Sequence, residues 1–442
     1  MVRREEDKRG EIKILDIEAL MPVGHLLRKI EEEVEWEKIY GMTERYYSEE
    51  TGRPSVDPVV LVKLALLQHI YGIRSMRQTV RETEVNIAYR WFLHYNLDTR
   101  IPHFATVSYA FARRFPSEVF SEIFAWILES AAEKKLLEPE VIFIDSTQIK
   151  ASGNKKKSRK ILAVETARIY DEQLRTEINA DREAHGKKSL KDDDDEPPAR
   201  EKTESVTDPE SGLFRKGEHK VEFAYTAHTA CDKNNFIIGC EVTAGNVHDS
   251  RVFDTVYDEV TAKYEVETVT VDAGYKTPWI CKKVHDDGRN ISTPYKRPMS
   301  KKGFFRSYEY VYDEYYDCVL CPNNHVLSYS TTNRDGYREF KSDPNICKTC
   351  PYREQCTQSK NYQKVVLKHI WEPYIELAED FRHSPQGSET YSMRAQTIER
   401  VFADAKEKHG MRYTFLRGLN RVRNWVRLKF AAMNLKKLAM WA

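Results

Sequence analysis

No stretch of the chain is apolar for long enough to cross a bilayer. The best candidate, Val59 to Ile73, is interrupted by Lys63 and His69, so no membrane partner is expected. An excess of one charge is also missing: 70 Lys and Arg face 69 Asp and Glu, a formal charge of +1, and the overall balance argues neither for nor against a polyanionic partner. Eight cysteines in 442 residues exclude a disulfide-stapled miniprotein, and 18 glycines with 17 prolines exclude a fibrous or wholly disordered chain. The residues after Met1 run into Arg3, Arg4, Glu5 and Glu6 without the apolar centre of a signal peptide. The expected location is therefore cytoplasmic, and no internal repeat is present. What remains is a soluble globular chain long enough for roughly two or three modules.

Locally the charge is uneven. From Lys406 onward, Lys406, Lys408, Arg412, Arg417, Arg421, Arg423, Arg427, Lys429, Lys436 and Lys437 face a single acid, Glu407. This tail reads as a nucleic-acid footprint or a solvated helix. Asp192 to Glu196 followed by Pro197 and Pro198 is the opposite extreme and reads as an exposed linker.

Residues 1 to about 130 read as helical, because Val56 to Tyr71 and Val107 to Leu128 carry apolar residues at three- and four-residue spacing, with turn signals at Gly52-Arg53-Pro54 and Ile101-Pro102. Ser75 to Phe92 and Thr106 to Phe115 bear Arg77, Arg81, Arg113 and Arg114, which suits either helix-turn-helix docking on DNA or a plain bundle. The period then changes. Val141 to Ile144 is a β-branched apolar run ending in Asp145-Ser146-Thr147 and predicts a buried strand with polar residues at its end. Val221 to Thr229 and Phe236 to Thr243 flank the turn-like Asp232-Lys233-Asn234-Asn235. Glu267 to Val271 delivers Asp272, Ile291 to Tyr295 is a fifth strand candidate, and helical periodicity resumes from Met393 to Lys406. Strands, an interruption and then helices predict an α/β core carrying insertions. One insertion, about 155 to 217, includes a helical stretch from Ile161 to Ala184; the other, 299 to 389, holds five of the cysteines.

Asp145 and Asp272 stand where two strands can aim carboxylates at one site, and such oxygen ligands suit Mg²⁺ or Mn²⁺. The best third carboxylate is Glu399. On a helix, Ile398, Val401, Phe402 and Ala405 form an apolar stripe, with Glu399 and Lys406 nearly in line beside it. Lone aspartates after strands are more often caps, and a lone glutamate on a helix is more often solvated. Together, however, these segments resemble a known family, the DDE transposases of bacterial insertion sequences. The resemblance is carried by Gly52-Arg-Pro-Ser-Val-Asp-Pro58, Phe143-Ile-Asp145-Ser-Thr147, Asn246-Val-His-Asp-Ser250, Val271-Asp272-Ala-Gly-Tyr275 and a helix with Tyr391, Arg394, Glu399 and Lys406. One spacing departs from a common form: four residues separate Arg394 from Glu399 where three are frequent.

The resemblance implies a ribonuclease H-like catalytic core in which Asp145, Asp272 and Glu399 hold two cations about 3.5 to 4 Å apart for in-line displacement at phosphorus. It also implies that Tyr391, Arg394 and Lys406 hold the DNA backbone, with no covalent protein–DNA intermediate. His248 with Asp249 reads as contacting DNA or, preferably, as a hydrogen-bonded structural histidine.

Cys318-Val-Leu-Cys321 and Cys347-Lys-Thr-Cys350 match the spacing of a structural Zn²⁺ site, with Cys356 and His325 as spare ligands; the alternative is a set of reduced thiols. Cys231, Cys240 and Cys281 read as ordinary buried residues. In the tail, Trp425 and Phe430 are expected inside and Arg417, Arg421 and Arg423 toward DNA. The expected organisation is a helical DNA-binding domain (1–130), a first part of the core (131–298), a zinc-ribbon-like insertion (299–389) and C-terminal core helices with a basic tail (390–442). The expected function is a nucleoid-associated transposase acting as a homodimer on double-stranded DNA, binding terminal inverted repeats, cutting and joining. A catalytically silent DNA-binding derivative and a metal-dependent nuclease without strand transfer are the rivals.

Overall fold

The structure, a computed structural model, describes residues 16–48, 55–154, 156–164, 170–190, 199–216, 220–296 and 301–441. The Gly52-Arg53-Pro54 turn signal and the acidic stretch Asp192 to Pro198 lie outside the described residues.

The N-terminal part is helical, as expected: α1 (Ile17–Leu20), α2 (Leu26–Glu33), α3 (Lys38–Thr43), α4 (Pro58–Ile70), α5 (Met76–Val85), α6 (Ile87–Phe92), α7 (Phe104–Tyr109) and α8 (Ser117–Glu133). Asp57 caps α4 by accepting from the Val59 N–H at 2.7 Å, and Pro58 stands in its first turn, where a missing N–H costs nothing. Lys63, which interrupts the apolar run of α4, is nonetheless buried; Glu31 neutralises it at 2.8 Å and the Trp36 ring lies 4.5 Å away. The stretch Val107 to Leu128 is not one helix. A π-turn over Ala110–Arg114 and then Pro116 separate α7 from α8.

A six-stranded sheet follows, built from β1 (Val141–Lys150), β4 (Gly212–Lys216), β5 (Lys220–Cys231), β6 (Ile237–Ala244), β7 (Thr268–Val271) and β8 (Asn290–Ser292). The order is β4-β5-β1-β7-β8, with β6 also paired to β5. β5 is antiparallel to β1, β4 and β6, while β1, β7 and β8 run parallel. The predicted hairpin is present: Asp232 accepts from the N–H of Phe236 at 2.7 Å across its turn. Helices α10 (Phe253–Thr261) and α11 (Pro278–Asp286) supply the crossovers that parallel strands require. The expected fifth strand is shorter, ending at Ser292.

Within the first insertion the helix expected from Ile161 begins only at α9 (Asp171–Ala184). Residues 158–164 instead form β2 (Ser158–Val164), paired with β3 (Ala199–Ser205). The continuous apolar run Ile161-Leu162-Ala163-Val164 shows neither period clearly, and the partner strand decides between them.

The cysteine-rich insertion is a separate five-stranded sheet in the order β13-β12-β11-β10-β9: β9 (Val311–Asp313), β10 (Cys318–Leu320), β11 (Val326–Thr332), β12 (Tyr337–Lys341) and β13 (Val365–His369). It has its own small core of Tyr310, Val319, Leu327 and Phe340, and two short helices, α12 (Pro344–Lys348) and α13 (Arg353–Cys356), lie between β12 and β13. Among the described residues the four cysteines expected to hold zinc are not gathered at one metal position. Cys318 shares a strand with its neighbour Val319, so the two point to opposite faces, and Val319 faces the core on which Cys321 and Cys356 pack. The Cys347 thiol meets Ser342 at 3.2 Å, and Cys350 meets Asn323 at 3.8 Å. Among the described residues no three His, Cys, Asp or Glu side chains converge on a metal position. Cys231, Cys240 and Cys281 are buried, as expected.

The C-terminal helices are α14 (Glu372–His383), α15 (Pro385–Ser392), α16 (Ile398–Glu407) and α17 (Leu419–Trp441). The helix expected from Met393 is broken: Met393–Gln396 is a 3₁₀ turn, and Thr397 leaves helical geometry before α16 begins. α17 is not a solvated basic tail. It packs against α2, α4, α8 and β6, joining the N-terminal helices to the sheet. Phe430 is fully buried, Trp425 is half-buried, and Asn434 pairs with both the N–H (2.9 Å) and C=O (2.8 Å) of Ile237 at the sheet edge. No helix among the described residues is long and apolar enough to cross a membrane.

Candidate active site

The parallel ladder between β1 and β7 ends with Ile144 opposite Val271. The next residues on the two strands, Asp145 and Asp272, therefore leave neighbouring positions side by side. Asp145 is not at the end of its own strand, as the sequence suggested, because β1 continues to Lys150 against β5. It lies where the β7 side of the sheet stops, in the kind of crevice outside parallel strand ends where α/β proteins bind ligands.

Asp145 accepts from the Ser146 N–H at 2.7 Å and from the Arg394 guanidinium at 2.5 Å. Arg394 is only 5% exposed, so it is not on a DNA-facing surface in this conformation, contrary to expectation. Its other terminal nitrogen, Nη1, has no hydrogen-bond partner. Burial pushes the Asp145 carboxyl above its ordinary range; Arg394 opposes that rise, and the charge of Asp272 adds to it. Tyr391, its ring 5.8 Å from the Arg394 guanidinium, reports on the whole pole. Burial raises its phenol, Arg394 opposes, and Asp272, Glu399 and Asp145 each push it further up.

Glu399 opens the first turn of α16 and is exposed, while Ile398, Val401, Phe402 and Ala405 are all buried, as the stripe predicts. Lys406 follows on the same helix, half-buried. Burial lowers its ammonium below the usual lysine range, and the positive charges of Lys220, Arg412 and Lys216 lower it further. Beyond it opens a cleft of about 1420 Å³ between the N-terminal helices and the segment leading into α17. Its walls carry the exposed cations Arg74, Arg113, Arg417 and Arg421, with Lys408 and Arg412 paired to Asp404 and Glu407. Phe415 is 65% exposed there. Arg423 is not available to DNA in the same way, because its guanidinium binds Glu241 at 2.5 Å. The loop before α17 is tied to β1 by backbone bonds from Lys150 N–H to Arg412 C=O (3.1 Å) and from Thr414 N–H to Lys150 C=O (3.0 Å). The cleft wall and the strand of Asp145 are thereby one framework.

Sequence reasoning left one carboxylate at this pole without a catalytic assignment. Asp249, in the Asn246 to Ser250 segment, is raised by burial; Ser146 and His248 oppose that rise, and Asp272 adds to it. Its signal was the acid beside His248, which reads as ordinary capping: His248 accepts from the Ser250 N–H at 3.3 Å and meets its hydroxyl at 2.8 Å.

Residues 320–439, which include α16, match a family model described as a transposase DDE domain, and residues 15–113 match one described as a transposase domain. Both matches are consistent with a DDE transposase of insertion sequences. No curated protein matches it closely. The DDE match implies a ribonuclease H-like core for this transposase, DNA as its partner, and the family's general use of divalent ions such as Mg²⁺. Asp145 and Asp272 lie outside both matched stretches, so for them the sheet register carries the argument. The oxygen donors Asp145, Asp272 and Glu399 suit a hard cation in kind, but not in arrangement. Asp145 is already neutralised by Arg394, and among the described residues no three such side chains converge.

Proposed function

We propose that this transposase binds the terminal inverted repeats of its own insertion sequence, cuts there and joins the freed 3′ ends to target DNA, acting as a homodimer. Asp145, Asp272 and Glu399 are its catalytic carboxylates, in the presence of Mg²⁺ or Mn²⁺. Lys406, Arg417 and Arg421 contact the phosphate backbone, and Tyr391 borders the reacting end. The N-terminal helices to about residue 130 are the DNA-binding domain, 131–298 with 390–442 form the core, and 299–389 is an insertion that leaves the core intact. The observation that carries this reading is the register of Ile144 with Val271, which leaves two carboxylates adjacent at the end of a parallel ladder. The chain's own residues supply a buried acidic pole, a cationic helix face at Lys406 and a positive cleft leading to it.

The Arg394–Asp145 ion pair favours a second reading, a DNA-binding chain without catalysis. One assay separates the two. Purified protein is incubated with labelled element ends and Mg²⁺, and nicking followed by joining is scored. Asp145→Ala, Asp272→Ala and Glu399→Ala are each expected to abolish cutting while leaving end binding within a few-fold. Binding by the unaltered protein without nicking under these conditions establishes the silent reading, and retained cutting in any one variant removes that residue from the site.

A further inference from the structure

The cleft beyond Lys406 is lined by more than cations. Among the described residues Phe415 is the only phenylalanine left mostly in water, and Leu416 next to it is 37% exposed. Its place is fixed by backbone rather than by a core. Residues 412–414 run beside the far end of β1, where Tyr413 bridges in parallel to Lys150. Thr414 is buried, and its hydroxyl accepts from the Leu416 N–H at 3.1 Å. Tyr413 and Phe415, one position to either side of Thr414, share the opposite face, with ring centroids 4.8 Å apart and planes perpendicular. An edge contact of this kind braces the Phe415 ring without covering it.

An apolar ring held open in a cleft asks for an occupant. The charge around it decides which kind. Arg417 and Arg421 are exposed and make no ion pair among the described residues, so an apolar protein surface laid on Phe415 would desolvate both guanidiniums without neutralising them. A nucleobase brings a flat face for the ring together with its own phosphates for the arginines. In an intact duplex both faces of a base are already covered by its neighbours, so the base that meets Phe415 has left the stack.

We propose that Phe415, braced by Tyr413, is the stacking platform for one nucleobase drawn out of the DNA duplex, with Arg417 and Arg421 holding the adjoining phosphates. β1 carries the chain five residues from Asp145 to Lys150, about 16 Å at the rise of a strand. The platform therefore stands about five duplex base steps from the acidic pole, away from the bond that is cut. In its role this site rests on the transposase reading, but its occupancy is measurable without cutting.

The test uses the full chain and two probes in fluorescence anisotropy, a duplex of the element end and single-stranded oligo(dT) of about 12 nucleotides. Phe415→Ala is expected to weaken binding of both at least about fivefold, with the slope of log affinity against log salt unchanged within about 0.5, since no phosphate contact is lost. Phe415→Trp should bind as the unaltered chain does, and Phe415→Leu as weakly as Phe415→Ala. 5-Iododeoxyuridine, placed at successive positions of the duplex and irradiated, should crosslink to Phe415 from a position about five base steps from the cut. Wild-type affinity in Phe415→Ala, full binding by Phe415→Leu, or no crosslink at Phe415 would each overturn the proposal. So would a weakened dimer of Phe415→Ala in sedimentation, which would give the ring to a second copy of the chain. Should Phe415→Ala fail to fold, the crosslink on the unaltered protein decides. If Asp145→Ala abolishes cutting while Phe415→Ala binds both probes normally, the transposase reading stands and this one fails; if the unaltered chain binds without cutting while Phe415→Ala loses oligo(dT), the reverse holds.

Discussion

The acidic pole and the basic cleft use charge in opposite ways. At the pole, the buried Arg394 meets Asp145 at 2.5 Å, and the charge of Asp272 pushes up the carboxyls of both Asp145 and Asp249. In the cleft, Arg417 and Arg421 are exposed and make no ion pair among the described residues. The same guanidinium thus serves two ends. Burial lowers the effective dielectric and makes each interaction strong and position-specific, whereas solvent and salt leave an exposed arginine a long-range attraction with little local structure. The pole is therefore suited to chemistry and the cleft to holding a polyanion whose position shifts.

The largest expected effect comes from breaking the buried pair. Arg394→Met leaves Asp145 without its cation and should lower the unfolding free energy by about 3 kcal/mol in urea titration. Arg417→Met should cost under about 0.5 kcal/mol. Equal losses would erase the distinction between the regions. The cleft is broken through affinity instead. Arg417→Ala combined with Arg421→Ala should weaken DNA binding about tenfold near physiological salt and flatten the slope of log affinity against log salt by about 2, since each phosphate contact releases counterions. An unchanged slope in fluorescence anisotropy would remove these arginines from the DNA surface.

The smallest effect concerns Lys429, the cleft's buried exception. Its ammonium donates to the His409 carbonyl and faces His69 at 3.3 Å beneath Trp425, and burial holds it down to about 7. His409 is likewise held to about 4 by burial. In both cases the unfolded chain binds the proton that the folded chain refuses, so stability rises with pH across each window, from about 4 to 6.5 for His409 and from about 7 toward 10.5 for Lys429. Between pH 7 and 8 the gain should approach about 1 kcal/mol, and Lys429→Met should flatten it. A pH-independent urea midpoint in the unaltered protein would show that Lys429 is charged in place.

Much of the fold was legible because local period reports burial. The stripe Ile398, Val401, Phe402 and Ala405 is buried as read, the hairpin around Asp232 to Asn235 is present, and the helix expected over Val56 to Tyr71 is α4. Other readings failed where period is silent. Ten basic residues against one acid suggested a nucleic-acid footprint or a solvated helix with Trp425 and Phe430 inside, yet α17 buries twelve of its residues, because α2, α4, α8 and β6 take up its faces. The cysteine spacing suggested either four converging thiolates or a set of reduced thiols, and the alternation along β10 places Cys318 opposite Val319, whose face is the core on which Cys321 packs. Asp249 was read only beside His248, as part of a DNA contact or of a structural histidine's surroundings, while in the fold His228 Nδ1 stands 3.6 Å from its Oδ1.

By itself the sequence determined the helical N-terminal part, the strands that carry Asp145 and lead to Asp272, and the buried stripe of α16, since those depend on neighbours a few positions away. Which charges meet was decided only by the tertiary structure. Arg394 reaches Asp145 across 249 positions of chain, and the strength of such a pair depends on the distance and burial that only packing sets.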